Sequence, residues 1–166
     1  MIIIVFGLPG SGKSYFASRL AKELQANYVS SDVIRKKLFD HIEYSNEEKI
    51  MVYEQMIKEM KKAMRQGEDI VLDATFYKDS IRNKLIKTAN DNSKKILFVE
   101  VWANPEIIFE RLRVRREYSD ADYTVYTRIK EIFEPMEMEH LKIQSTQENI
   151  KEMLDMAANY IENHHG

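Results

Sequence analysis

The chain has 166 residues, a size that predicts one compact domain, and its 44% apolar composition is enough to furnish a core. It contains no cysteine, which excludes disulfides, zinc thiolate sites, iron–sulfur clusters and thiol nucleophiles. A formal charge of −2 leaves no positive excess for holding long nucleic acid non-specifically, so any polyanion site must be local.

The opening run Met1 to Phe6 is apolar and β-branched without alternation, the pattern of a strand buried on both faces of a parallel sheet. It has no basic leader region, and no segment approaches the ~20 apolar residues of a membrane-spanning helix. A soluble cytoplasmic protein is expected. Phe16, Ala17, Leu20, Ala21 and Leu24 then share one helical face, and Asn27 to Ser30 reads as a second strand. Ser45 and Glu48 are spaced as a capping box before a long helix lined by Ile50, Tyr53, Ile57, Met60 and Met64, which stops at Gly67. A third strand spans Asp69 to Asp73. Asp79 reads as the cap of a helix marked by Ile81, Leu85 and Ala89, and Lys95 to Trp102 reads as a fourth strand with Trp102 buried. Asn104 and Pro105 start another helix, and Glu134 with Pro135 terminates one. A weaker strand follows at Leu141 to Ile143, and Ser145 with Glu148 is a second capping-box pattern before Ile150, Met153, Leu154, Ala157 and Ile161. Alternating strands and helices imply right-handed crossovers, hence a three-layer α/β/α sandwich on a five-stranded parallel sheet.

Gly7-Leu8-Pro9-Gly10-Ser11-Gly12-Lys13-Ser14 matches GxxxxGK[ST] in full and lies between a predicted strand and a predicted helix. This is a P-loop, and it implies the nucleoside triphosphate hydrolase fold. Gly7, Pro9, Gly10, Ser11 and Gly12 form a loop whose available backbone N–H groups point at the phosphates, with the helix dipole beneath. Lys13 reaches the β- and γ-phosphates, and the Ser14 hydroxyl ligates Mg²⁺. Ile70-Val71-Leu72-Asp73 ends a buried strand in a carboxylate, the Walker B arrangement, which adds Asp73 on the metal side.

Asn83-Lys84-Leu85-Ile86 lacks the aspartate of a guanine-reading motif, and the length leaves no room for the extra helical domain of large remodelling ATPases. What remains is mostly phosphotransferases. Transfer to a hydroxyl needs a carboxylate beside the acceptor and positive charge for the phosphoryl group in flight. Asp32-Val33-Ile34-Arg35, directly after the second strand, supplies an acid and a base on one face of a helix's first turn. Arg111, Arg113, Arg115 and Arg116 crowd the segment before Ser119-Asp120-Ala121-Asp122, with Arg111 and Arg115 four apart on one expected helical face. They predict a mobile lid around residues 105–120 within a single domain spanning 1–166.

These motifs, with Asp73-Ala74-Thr75, occur in the order seen in P-loop kinases of the polynucleotide 5′-hydroxyl kinase type and resemble small predicted bacterial and phage kinases. The resemblance implies that Asp32 is the general base toward the acceptor and that Arg35 holds the acceptor, often by a phosphate. It also implies that Arg111 and Arg115 contact the nucleotide and the transferring phosphoryl group. Ser119-Asp120-Ala121 is similar to a motif of the predicted kinases. The expected function is ATP- and Mg²⁺-dependent transfer of the γ-phosphoryl group to an acceptor hydroxyl, with no obligate protein partner. The acceptor is a nucleic-acid or nucleotide 5′-hydroxyl, or alternatively a sugar, nucleoside or antibiotic, while a regulatory nucleotide-binding module is the rival class. His41, His140, His164 and His165 show no ligand spacing and receive no chemistry.

Overall fold

The computed structural model describes residues 1–114 and 122–165. Strands β1 (Ile2–Phe6), β2 (Asn27–Ser30), β3 (Ile70–Asp73), β4 (Ile96–Trp102) and β5 (Leu141–Gln144) form one parallel sheet in the order β2-β3-β1-β4-β5. The expected α/β/α sandwich is therefore observed. Because side chains alternate along a strand, β1 feeds two cores at once. Ile2, Ile4 and Phe6 pack against α3 (Asn46–Gln66) and α4 (Asp79–Asp91) through Val52, Met56, Met60 and Leu85. Ile3 and Val5 pack against α1 (Lys13–Glu23) and α7 (Ile150–His164) through Phe16, Leu20, Met153 and Ala157. A smaller cluster of Ala103, Ile108 and Tyr126 joins α5 (Pro105–Arg113) to α6 (Tyr123–Ile132).

Register places the site. Val5 of β1 and Ser30 of β2 both align with Asp73 of β3, so the loops after these strands leave the sheet at one level. From the adjacent strands β1 and β3 the chain departs in opposite directions, to β2 on one side and β4 on the other. That divergence opens a crevice at the carboxyl ends of the strands, where open α/β sheets bind ligands. Helix α2 (Ser31–Leu38) rises directly from β2 and brings Asp32 to the same crevice.

Several local expectations needed correction. Ser45 caps α3 by accepting from the Glu48 N–H, but the Glu48 carboxylate accepts from the N–H groups of Glu43 and Tyr44 at 2.7 and 2.8 Å, not from Ser45. Ile50 is 57% exposed, whereas Ile57, Met60 and Met64 of the expected stripe are buried, together with Val52, Met56 and Ala63. Trp102, at the end of β4, is 37% exposed, on the strand face opposite the buried Val101 and Ala103. Asp79 is the first residue of α4 rather than its cap, and its carboxylate pairs with Arg82, which is buried beside the stacked rings of Phe6 and Phe133. The Ser145–Glu148 capping box does not form. Helix α7 begins at Ile150 after Asn149, whose side-chain oxygen accepts from the Thr146 N–H.

Candidate active site

Two glycines explain how β1 can end in a phosphate loop. Gly7 sits at φ +149°, and a Cβ there would strike the carbonyl oxygen of Val101. Gly12 sits at φ +89°, where a Cβ would lie 2.6 Å from Ser145 Oγ and 3.0 Å from an Arg111 nitrogen. Only glycine tolerates both the conformation and the crowding. Helix α1 starts at Lys13 with no side-chain cap and no acidic residue in its first turn. Its first N–H groups and its positive dipole end therefore remain available to an anion. Above them lies a cavity of about 1120 Å³ lined by Gly10, Gly12, Lys13, Ser14, Tyr28, Asp32, Arg111, Ser145 and Thr146 among others. Ser11 is buried beside it, and its hydroxyl has no hydrogen-bond partner among the described residues.

Arg111 reaches this loop from α5. Its guanidinium donates to the Gly10 carbonyl at 3.2 Å, to Ser145 Oγ at 2.9 Å and to the Thr146 carbonyl at 2.9 Å. It thus ties the P-loop to the β5–α7 connection while still lining the cavity. Arg113 points elsewhere, to Glu110 at 3.1 Å. Helix α5 ends at Arg113, with Val114 extended. Arg115, Arg116 and Ser119-Asp120-Ala121 lie outside the described residues, as does the far part of the expected lid.

Asp73, at the end of β3, is 1% exposed. Tyr28 of β2 donates its hydroxyl to one carboxylate oxygen at 2.7 Å, and the other oxygen has no partner among the described residues. Burial, followed by the adjacent Asp73 charge, raises the Tyr28 pKa and keeps the phenol a donor. The Ser14 and Ser30 hydroxyls also act on Tyr28, which brings Ser14 to the same cluster. A hydroxyl and an anionic oxygen without a partner fit Mg²⁺, which keeps several waters and takes few protein ligands. No group of three or more His, Asp or Glu side chains suited to enclosing a metal occurs among the described residues.

Asp32 and Arg35 share the predicted face, with 3.5 Å between their side chains. Burial raises the Asp32 pKa; Lys13 opposes the shift, Asp73 adds to it, and Arg35 and Lys36 oppose it. Arg35 is buried, lies 4.0 Å from Glu48 and covers the ring of Tyr44. Its charge is thus set between two carboxylates. Beyond Asp32 a second, smaller cavity of about 60 Å³ is lined by Pro9, Lys13, Asp32, Arg35, Tyr44, Lys49, Tyr53, Thr75, Tyr77 and Arg128 among others. Lys13 and Asp32 line both cavities.

A family model described as AAA domain matches residues 2–136, from the first strand through the P-loop, Asp32 and Asp73 to the end of α6. The chain belongs to the AAA domain family. An uncharacterized protein of Mycobacterium tuberculosis is 24% identical over 135 residues, 74% of this chain and 27% of that protein, so the match occupies about a quarter of the relative. Three solved structures share this AAA domain chain's fold. A sugar kinase from a Janibacter species has a TM-score of 0.75 at 16% identity, covering 97% of this chain and 94% of that one. A gluconokinase from Sinorhizobium meliloti has a TM-score of 0.72 at 20% identity, covering 98% and 94%. The APS kinase of Mycobacterium tuberculosis, solved with AMPPNP and APS, has a TM-score of 0.72 at 19% identity, covering 97% and 96%.

Within this AAA domain the structure brings Gly10, Gly12, Lys13, Ser14, Asp32 and Arg111 to one cavity and places Pro9 and Arg35 on the wall of the other. Sequence reading missed Tyr28, Glu48, Lys49, Tyr77 and Ser145. Tyr28 meets Asp73, Lys49 meets Tyr77 and Ser145 meets Arg111 only across 28 to 45 residues of chain, and Glu48 read as a cap alone.

Proposed function

We propose that the chain is an ATP- and Mg²⁺-dependent phosphotransferase acting on the hydroxyl of a small metabolite. The observation that carries this reading is the meeting of two cavities at Lys13 and Asp32. A nucleotide switch needs one ligand site; transfer needs two that share a reacting edge. In the larger cavity the P-loop and Lys13 hold the triphosphate, with Arg111 bracing Gly10 from the side. Ser14 and Asp73 are the residues that would hold Mg²⁺, Asp73 by its oxygen without a partner and through water. When bound, the ion supplies charge for the β- and γ-phosphates.

In the smaller cavity Asp32 accepts the acceptor's hydroxyl proton as the oxygen bonds to the γ-phosphorus. The bond from that phosphorus to the bridging oxygen breaks, and ADP leaves. The raised Asp32 pKa suits a base that must take a proton and release it. Arg35, on the wall of this cavity between Asp32 and Glu48, holds the acceptor and orients the base. Arg115, outside the described residues, is assigned the transition-state charge by its place in the sequence alone.

A small acceptor is supported by the size of the inner cavity, about 60 Å³. It is further supported by the likeness to a sugar kinase, a gluconokinase and an APS kinase. The polynucleotide branch gains no support from these proteins. ADP release with Mg²⁺·ATP, measured across sugars, sugar acids, nucleosides and a 5′-hydroxyl oligonucleotide, tests the proposal. At least one small acceptor should stimulate turnover, and Lys13→Ala should abolish it. Turnover that ignores every acceptor would make the chain a regulatory nucleotide-binding module, and label transfer to the oligonucleotide alone would restore the nucleic-acid reading.

A further inference from the structure

The kinase reading leaves open what the acceptor carries besides its hydroxyl, and the charges around the inner cavity bear on that. Arg35 is countered by Asp32 at 3.5 Å and Glu48 at 4.0 Å. Lys49 and Lys78 have no such carboxylate within ion-pair distance among the described residues. The Lys49 ammonium donates to the Tyr77 hydroxyl at 3.0 Å and stands 5.1 Å from the centre of that ring. The Lys78 ammonium stands 6.0 Å from the same ring. Tyr77 itself is 6% exposed. Lys49, Tyr77 and Lys78 line one groove, where an anion would be attracted by both ammonium charges.

Lys49 and Tyr77 also stand at a junction. Both line the inner cavity with Asp32, and both line an outer groove of about 460 Å³ between α3 and α4. Lys78 and Lys84 line that groove, against the single carboxylate of Glu54. The groove therefore favours an anion and has volume for a sugar-sized body beyond the inner cavity.

Resting on the kinase reading above, we propose that Lys49, Tyr77 and Lys78 form an anion subsite for the acceptor. The acceptor is then a small hydroxyl compound bearing its own carboxylate or phosphate, a sugar acid or a sugar phosphate. Its hydroxyl faces Asp32, and its oxyanion lies against the two ammonium groups and the Tyr77 hydroxyl. Lys49 and Lys78 are specificity-determining residues: they set which hydroxyl compounds are held and take no part in moving the proton.

The test is calorimetric titration of the full chain, loaded with Mg²⁺ and AMP-PNP, with matched pairs that differ in charge. D-Gluconate against D-glucitol tests a carboxylate, and D-ribose 5-phosphate against D-ribose tests a phosphate. One anionic member should bind at least about tenfold more tightly than its neutral match, the scale of a charge-assisted hydrogen bond. Lys49→Gln should remove most of that preference and Lys78→Gln a smaller part of about two- to fivefold, because Lys78 is exposed. AMP-PNP affinity should stay within about twofold in both variants, since neither residue lines the nucleotide cavity. Equal binding of charged and neutral members, a preference that survives both substitutions, or no binding by either anion would overturn the subsite. In each of those cases AMP-PNP binding and acceptor-stimulated turnover would leave the kinase reading standing. A parent chain that fails to bind AMP-PNP would remove both.

Discussion

Replacing Tyr28 by phenylalanine removes one hydroxyl from the metal side of the site and leaves the ring in place. That hydroxyl donates to Asp73 at 2.7 Å, the length of a charge-assisted bond. Asp73 is 1% exposed, and its second oxygen already lacks a partner among the described residues. Hydrogen bonds to charged groups contribute about 1.5–3 kcal/mol. Tyr28 is 36% exposed, so water replaces part of the lost donor. The lower half of the range applies, about 1.5–2 kcal/mol. For a domain of this size that lowers Tm by roughly 3–8 °C.

Urea unfolding of the Mg²⁺-free chain, for the parent, Tyr28→Phe, Asp73→Asn and the double variant, closes the cycle. With asparagine at 73 the phenol meets a neutral amide, whose bond contributes only about 0.5–1.5 kcal/mol. The coupling between the two positions should therefore be on the order of 1 kcal/mol. A Tyr28→Phe variant within about 0.5 kcal/mol of the parent, or strict additivity with Asp73→Asn, would refute the idea that Tyr28 holds the Asp73 carboxylate in place.

Asp32→Asn should cut acceptor phosphorylation by about 10²- to 10⁴-fold with little change in AMP-PNP affinity, because asparagine cannot take the hydroxyl proton. In the parent, the acidic limb of kcat/KM should lie above the ordinary aspartate value of about 4, since burial raises the Asp32 pKa. The raised pKa also means that the folded chain holds this proton more tightly than the unfolded chain. The cost of the ionised form is present above the folded pKa and disappears as pH falls below the unfolded one. Asp32→Asn should accordingly unfold at higher urea than the parent at pH 7, with the difference closing in acid. Gly12→Ala should abolish AMP-PNP binding, because alanine at φ +89° costs about 1–2 kcal/mol and its Cβ collides with Ser145 and Arg111. Arg111→Lys, which keeps the charge but cannot bond Gly10, Ser145 and Thr146 together, should weaken AMP-PNP binding by about tenfold or more in a direct titration.

The α/β order, the buried strand ending at Phe6, the P-loop and the carboxylate at the end of Ile70–Asp73 were all legible from contiguous residues. Each depends on a backbone period or a loop whose residues are neighbours in the chain, and local sterics decide those. Asp32 and Arg35 were legible as a pair for the same reason, being one helical turn apart. The partners that tune these groups were not. Tyr28 meets Asp73 across 45 residues only because β2 lies beside β3 and their register aligns Ser30 with Asp73. Ser145 matched a capping box locally, yet its hydroxyl was taken by Arg111 from 34 residues away, and α7 started five residues later. Glu48 likewise fitted a box with Ser45 and turned instead to the N–H groups of Glu43 and Tyr44 beside Arg35. Lys49 looks like a surface charge along the chain, and only the packing of α3 beside α4 brings it to Tyr77, the chain neighbour of Lys78. A polar side chain bonds to whichever donor or acceptor comes nearest in space, and in a sheet strand order and register determine that neighbour, whereas distance along the chain does not.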